Sequence, residues 1–164
     1  MLYFVFGRLC TAVAVFMLFG CDMPSDVSAH SEIQAGEVDH VRISALTEFI
    51  PDASAAGKMQ IKTLIELVDP LGTPVKTAFA ARFEFYEFKP LSSNPRGSRL
   101  AIWPEQDLHD PAANDEHWED FLYGYEFYLP LEFVPQPGKK YLLEVSCLAG
   151  RRRLGDLFKM QYRP

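Results

Sequence analysis

Pro137-Gly138-Lys139-Lys140-Tyr141-Leu142-Leu143-Glu144-Val145 opens on a turn and continues as a strand. Proline presets φ and glycine accepts a left-handed backbone, so Pro135-Gln136-Pro137-Gly138 reverses the chain. Beyond it Tyr141, Leu143, Val145 and Cys147 face one way, and Leu142, Glu144 and Ser146 the other. Side chains of a strand alternate with period two, so one apolar face of this segment is buried. Downstream, Gly150-Arg151-Arg152-Arg153 reads as a hairpin tip, and Leu154 to Tyr162 as a closing strand with Phe158, Met160 and Tyr162 on one face.

The same period runs upstream. Phe121, Tyr123, Tyr125, Phe127, Leu129 and Leu131 alternate along a long strand that Pro130 bends or places on an edge. Arg99 to Trp103 is a short strand stopped by Pro104, after a loop from Pro90 to Arg99. Phe79, Ala81, Phe83 and Phe85 alternate with Ala80, Arg82, Glu84 and Tyr86. Met59, Ile61, Thr63, Ile65 and Leu67 make another strand, and Val41, Ile43 and Ala45 the first. Asp69-Pro70-Leu71-Gly72-Thr73-Pro74 turns the chain between the Met59–Leu67 strand and the Phe79–Phe85 strand. Short strands at regular spacing, frequent turn residues and no helical periodicity predict an all-β fold: an antiparallel β-sandwich of about seven strands over residues 40–164.

The run Pro137-Gly138-x-x-Tyr141-x-Leu143-x-Val145 resembles the tyrosine corner at the start of strand F in immunoglobulin-like domains. The resemblance implies structural roles for Tyr141, Pro137 and Gly138, with the Tyr141 hydroxyl bonded to backbone just upstream. The tryptophan expected on strand C is absent, Phe83 and Phe85 standing in that region, and a transthyretin-like sandwich accommodates the pattern nearly as well.

The amino terminus sets the address. Residues 1–20 carry Arg8 and no acid, and Leu9 to Gly20 is an uncharged run of signal-peptide length, short for a membrane span. It ends in Leu18-Phe19-Gly20-Cys21, which resembles the lipobox of bacterial lipoproteins. The resemblance implies cleavage before Cys21, a thioether diacylglyceryl group on its sulfur, and a membrane-anchored place in the cell envelope, facing the periplasm or exterior. Aspartate after the cysteine, here Asp22, resembles an inner-membrane retention signal. Two or three acyl chains, each buried methylene contributing about 0.8 kcal/mol, anchor durably where one does not. Residues 21–39 then form the lipidated cysteine and a polar, acidic, aperiodic spacer with a reach of about 25 Å.

Removing residues 1–20 takes the net charge from −6 to −7. An acidic chain of this kind is not built for nucleic acid. Cys10 leaves with the signal and Cys21 carries lipid, so Cys147 stands alone and no intramolecular disulfide is expected.

Candidate chemistry concentrates between Trp103 and Trp118. Carboxylates there suit Ca²⁺, and His109 with His117 suit Zn²⁺, so Asp107, His109, Asp110, Asp115 and His117 are the candidate ligands. Their spacing matches no known ligand motif, so the expectation is no metal and no cofactor: a solvated acidic loop from Glu105 to Glu116. No serine lies in a Gly-x-Ser-x-Gly elbow, and Cys147 sits mid-strand on the apolar face. The chain therefore reads as a non-enzymatic binding or scaffolding module, with an envelope protein as partner. The alternatives are a carbohydrate-binding accessory module, for which Tyr86, Phe88, Trp103, Trp118 and Tyr128 supply aromatic rings, and a metal-dependent hydrolase.

Overall fold

The computed structural model describes residues 37–163. The expected signal, Cys21 and the spacer up to residue 36 lie outside the described residues. Ten strands and one short helix follow one another: β1 (His40–Ile43), β2 (Glu48–Pro51), β3 (Met59–Val68), β4 (Ala80–Phe88), β5 (Arg96–Ile102), β6 (Gln106–Asp107), α1 (Pro111–His117), β7 (Trp118–Glu119), β8 (Gly124–Leu131), β9 (Lys140–Ala149) and β10 (Arg152–Gln161). Each strand read from the alternation is present. The short β2, β6 and β7 and the helix are additions to the expected seven.

The strands form two antiparallel sheets. One runs β1-β3-β8-β7, with β2 also on β3; the other runs β10-β9-β4-β5, with β6 also on β4. With β9 in the place of strand F, this is the A-B-E-D and G-F-C order of an immunoglobulin sandwich, extended by one strand beyond C. The inward faces are the predicted ones. Ile61, Thr63, Ile65 and Leu67 from β3, Phe83 and Phe85 from β4, and Tyr141, Leu143, Val145 and Cys147 from β9 are all buried. Aromatic pairs bind the sheets across the core: Phe79 meets Tyr125 at 4.7 Å and Phe83 meets Phe127 at 4.9 Å between ring centroids. Such pairs contribute about 0.5–1.5 kcal/mol each beyond their area. Trp103 Nε1 donates to Pro130 O at 2.9 Å, a polar tie between the two sheets.

Tyr141 behaves as its motif implies. Gly138 has φ +76° and ends the turn. The Tyr141 hydroxyl accepts from Gln136 N–H at 2.9 Å, while its ring stacks on Phe85 at 5.1 Å. Turn and strand are thereby locked together by one side chain.

Three details depart from the alternation. Ala45 lies beyond β1 and is exposed. Phe121 and Tyr123 precede β8 in the turn from β7; Phe121 is 90% exposed and Tyr123 takes a left-handed φ of +51°. A residue in that conformation redirects the chain, so the period of β8 starts only at Gly124. Pro130 is tolerated in β8 because β7 pairs only with Gly124 and Tyr125, leaving that edge open at Pro130.

Candidate functional site

The segment expected to be a solvated loop is instead a folded plug. Asp110-Pro111 starts a helix: Asp110 Oδ2 accepts from Ala113 N–H at 3.0 Å, and Pro111 occupies the first turn, where a missing N–H costs nothing. The helix holds Asn114 in the interior, fully buried. Asn114 Nδ2 donates to Thr77 O at 2.8 Å and Leu108 O at 2.9 Å. Tyr125 completes the group: its hydroxyl accepts from Thr77 N–H at 2.8 Å and has Thr77 O at 2.9 Å and Asn114 Oδ1 at 3.2 Å as acceptors. Burial pushes the Tyr125 hydroxyl pKa up, so it stays protonated. One asparagine thus joins α1, the segment before β4 and the start of β8.

The five candidate metal ligands do not converge. Asp107 on β6 pairs with His109 Nδ1 at 2.6 Å and also accepts its backbone N–H, two bonds that hold the Asp107 carboxyl below the usual range. Asp110 caps the helix and Asp115 pairs with Lys76 at 2.6 Å. His117 stacks on Phe127 at 4.6 Å, and its Nδ1 lies 2.9 Å from Glu126 O, which requires the proton on Nδ1. Among the described residues, no group of three or more His, Cys, Asp or Glu is gathered as a cation would need. Asp110 and Asp115 serve the helix, one as its cap and the other as its tie to Lys76.

The aromatic candidates are equally dispersed. Trp103 is in the core, and Trp118 packs edge-on against Tyr125 at 5.0 Å, with Lys76 over its face. Tyr86 and Phe88 lie on the outer face of the second sheet, Tyr128 on that of the first. Tyr86 donates to Glu84 at 2.7 Å, so its hydroxyl is engaged in an ion network. Around it Arg96 grips Glu144 with two nitrogens and Arg99 reaches Glu84 at 2.9 Å. Glu84 and Glu144 are directly opposed in the β4–β9 register, a repulsive pairing that the two arginines of β5 neutralise.

Cys147 is free and buried, and burial pushes its thiol pKa up to about 12, so it is a packing residue. The arginine hairpin is in part structural: Arg152 donates to Val38 O at 2.6 Å and to Asp39 O at 3.3 Å, pinning the chain where it enters the domain.

A groove of about 480 Å³ opens between β2 and the carboxyl-terminal half of β10. Its apolar wall is Phe49, Phe158, Met160 and Tyr162; Lys140, Lys159 and Arg163 border it, against one carboxylate, Glu48. Phe49 meets Tyr162 edge-on at 5.4 Å, which ties the two lips at their base. The sequence signalled half of this. Phe158, Met160 and Tyr162 were legible as one face, but β2 was not, because four residues with one aromatic carry too little periodicity. Compared with known proteins, the chain matches no family model, no curated protein and no solved structure.

Proposed function

We propose that this chain is a lipid-anchored protein of the bacterial cell envelope, held in the membrane through Cys21, whose β-sandwich is a binding or scaffolding module and not an enzyme. The anchor rests on Leu18-Phe19-Gly20-Cys21 at the end of an uncharged run. The observation that carries the binding role is the groove beside β10, bordered by three cations in an acidic chain. The domain is entered at Val38, which Arg152 holds at the β9–β10 hairpin, whereas the groove lies at the other end of β10. A domain tethered at its entry can therefore hold that end away from the bilayer. Among the described residues the candidate aromatic rings are dispersed and the candidate carboxylates separated, which supports the binding reading over the carbohydrate module and the hydrolase.

The test is metabolic labelling with palmitate in a bacterial host. The native chain should incorporate label and fractionate with membranes. Cys21→Ser should do neither through this route, and label retained in that variant would refute the anchor.

A further inference from the structure

Among the described residues β10 is an edge strand, paired only with β9. In an antiparallel ladder, the main-chain groups of alternate residues point to opposite sides. Trp103 N–H bonds to Phe83 O and Leu108 N–H to Phe79 O, so the odd residues of β4 face away from β9 and the even ones toward it. Carried through the β4–β9 and β9–β10 registers, this turns Phe158 and Met160 toward β9 and leaves Leu157, Lys159 and Gln161 facing outward. Tyr162 N–H, bonded to Lys139 O, agrees with that parity.

The first half of this edge is covered. The segment Val38 to Ile43 runs beside it, fastened by Arg152 to Val38 O and by Asp156 Oδ2, which accepts Ile43 N–H at 2.8 Å. Asp156 Oδ1 accepts Leu157 N–H, also at 2.8 Å. There the cover ends, because the chain turns at Ser44–Thr47 and continues as β2 along β3 of its own sheet, on the far side of the groove from β10. Among the described residues, no backbone group pairs with Lys159 or Gln161 on the outward side. The groove lies along this uncovered half.

The two sides of the open edge differ chemically. Phe158, Met160 and Tyr162 point inward with Phe49, whereas Lys140 and Lys159 stand on the outer face. Lys140, Lys159 and Arg163 make no ion pair with any described residue, unlike Lys58, Lys62, Lys76 and Lys139. An added strand has the same period of two, so one of its faces would meet the aromatic wall and the other the cations.

We infer that the open half of β10 is a strand-addition site for an extended segment of a partner protein in which apolar residues alternate with acidic ones. The inference deepens the binding-module reading and rests on it. Charge decides among the occupants. Two copies paired two-fold through β10 about Lys159 would set that lysine against its own counterpart, a repulsive cross-strand pair. An acidic partner instead meets three cations that pair with no carboxylate among the described residues, Lys159 resting only over the Phe88 ring at 5.2 Å.

The experiment uses soluble chain, residues 22–164, and a fluorescent peptide of alternating glutamate and valine, read by anisotropy in low salt. The peptide should bind saturably and perturb the Lys159 and Gln161 amide resonances. The double variant Lys140→Glu, Lys159→Glu should weaken it about tenfold, since two exposed attractive pairs become repulsive. The same peptide N-methylated at alternate residues, which removes its main-chain donors without touching the protein, should not bind. Equal binding of a lysine–valine peptide, or of the N-methylated one, overturns the proposal. So does self-association through β10 in sedimentation that the double variant abolishes. Protection of the Lys159 and Gln161 amides in the free monomer, lost on deleting residues 22–36, would assign the groove to the chain's own spacer and also overturn it. Failure of the peptide leaves the anchor standing, because palmitate labelling reads Cys21 independently.

Discussion

Replacing Asn114 with alanine tests whether α1 is a structural plug. The side chain is fully buried and supplies two donors, to Thr77 O and Leu108 O, and one acceptor near the Tyr125 hydroxyl. In the variant Leu108 O loses its partner within the interior, while Thr77 O retains Tyr125. A buried polar group left unsatisfied costs about 1–3 kcal/mol, and each remaining bond contributes about 1 kcal/mol net. The expected loss is about 3 kcal/mol. For a domain of this size that corresponds to a fall of roughly 12 °C in melting temperature. Urea denaturation followed by tryptophan fluorescence reads it directly, since Trp118 closes the helix and packs on Tyr125. Tyr125→Phe should cost a comparable amount, because Thr77 N–H loses its acceptor and Asn114 Oδ1 its donor, while the ring still packs against Phe79. The double variant should be less destabilised than the sum by about 0.5–3 kcal/mol, the range for residues sharing one network. A loss below about 1 kcal/mol for Asn114→Ala, or strict additivity with Tyr125→Phe, would refute the plug and return residues 104–117 to a solvated loop.

Two further outcomes follow from the sheets. Tyr141→Phe removes the acceptor of Gln136 N–H but keeps the stack on Phe85, so it should lower stability by about 1 kcal/mol with the fold intact; an unchanged urea midpoint would contradict the corner. Glu84 has its pKa lowered, chiefly by the Tyr86 hydroxyl and then by Arg99. A depressed folded pKa contributes stability above the unfolded carboxylate range, lost as pH falls through the folded value. Glu84→Gln should therefore flatten the fall in urea midpoint between pH 5 and pH 3, and an equally steep fall in both proteins would discount this group.

Much of this protein was legible before folding. A period of two needs no tertiary information, because Cβ atoms alternate across any strand. Phe83, Phe85, Tyr141, Leu143 and Val145 thus declared their inward face from spacing alone. Turn chemistry was as local: Gly72, Gly138 and Gly150 all take the positive φ that glycine admits at no steric cost. The Tyr141 corner closes over a separation of five residues, and its bond partner, Gln136, lies in the turn just before the motif.

What the pattern missed was decided between distant parts of the chain. A helix of seven residues is too short to persist on its own propensity. Asp110-Pro111 is a start signal, but the bonds that retain the helix come from Thr77, 37 residues earlier, and Tyr125, 11 residues later. The carboxylates and histidines between them looked like a ligand cluster because sequence proximity was all that linked them. Folding sends Asp115 to Lys76 and His117 to Phe127. The open half of β10 is likewise a product of assembly. Its residues alternate no differently from those of β9; only the point where the chain turns after Ile43 exposes one half of the edge and covers the other. Periodicity reports which face of an element is buried, whereas which edge stays unpaired depends on where other segments run, and no local pattern carries that information.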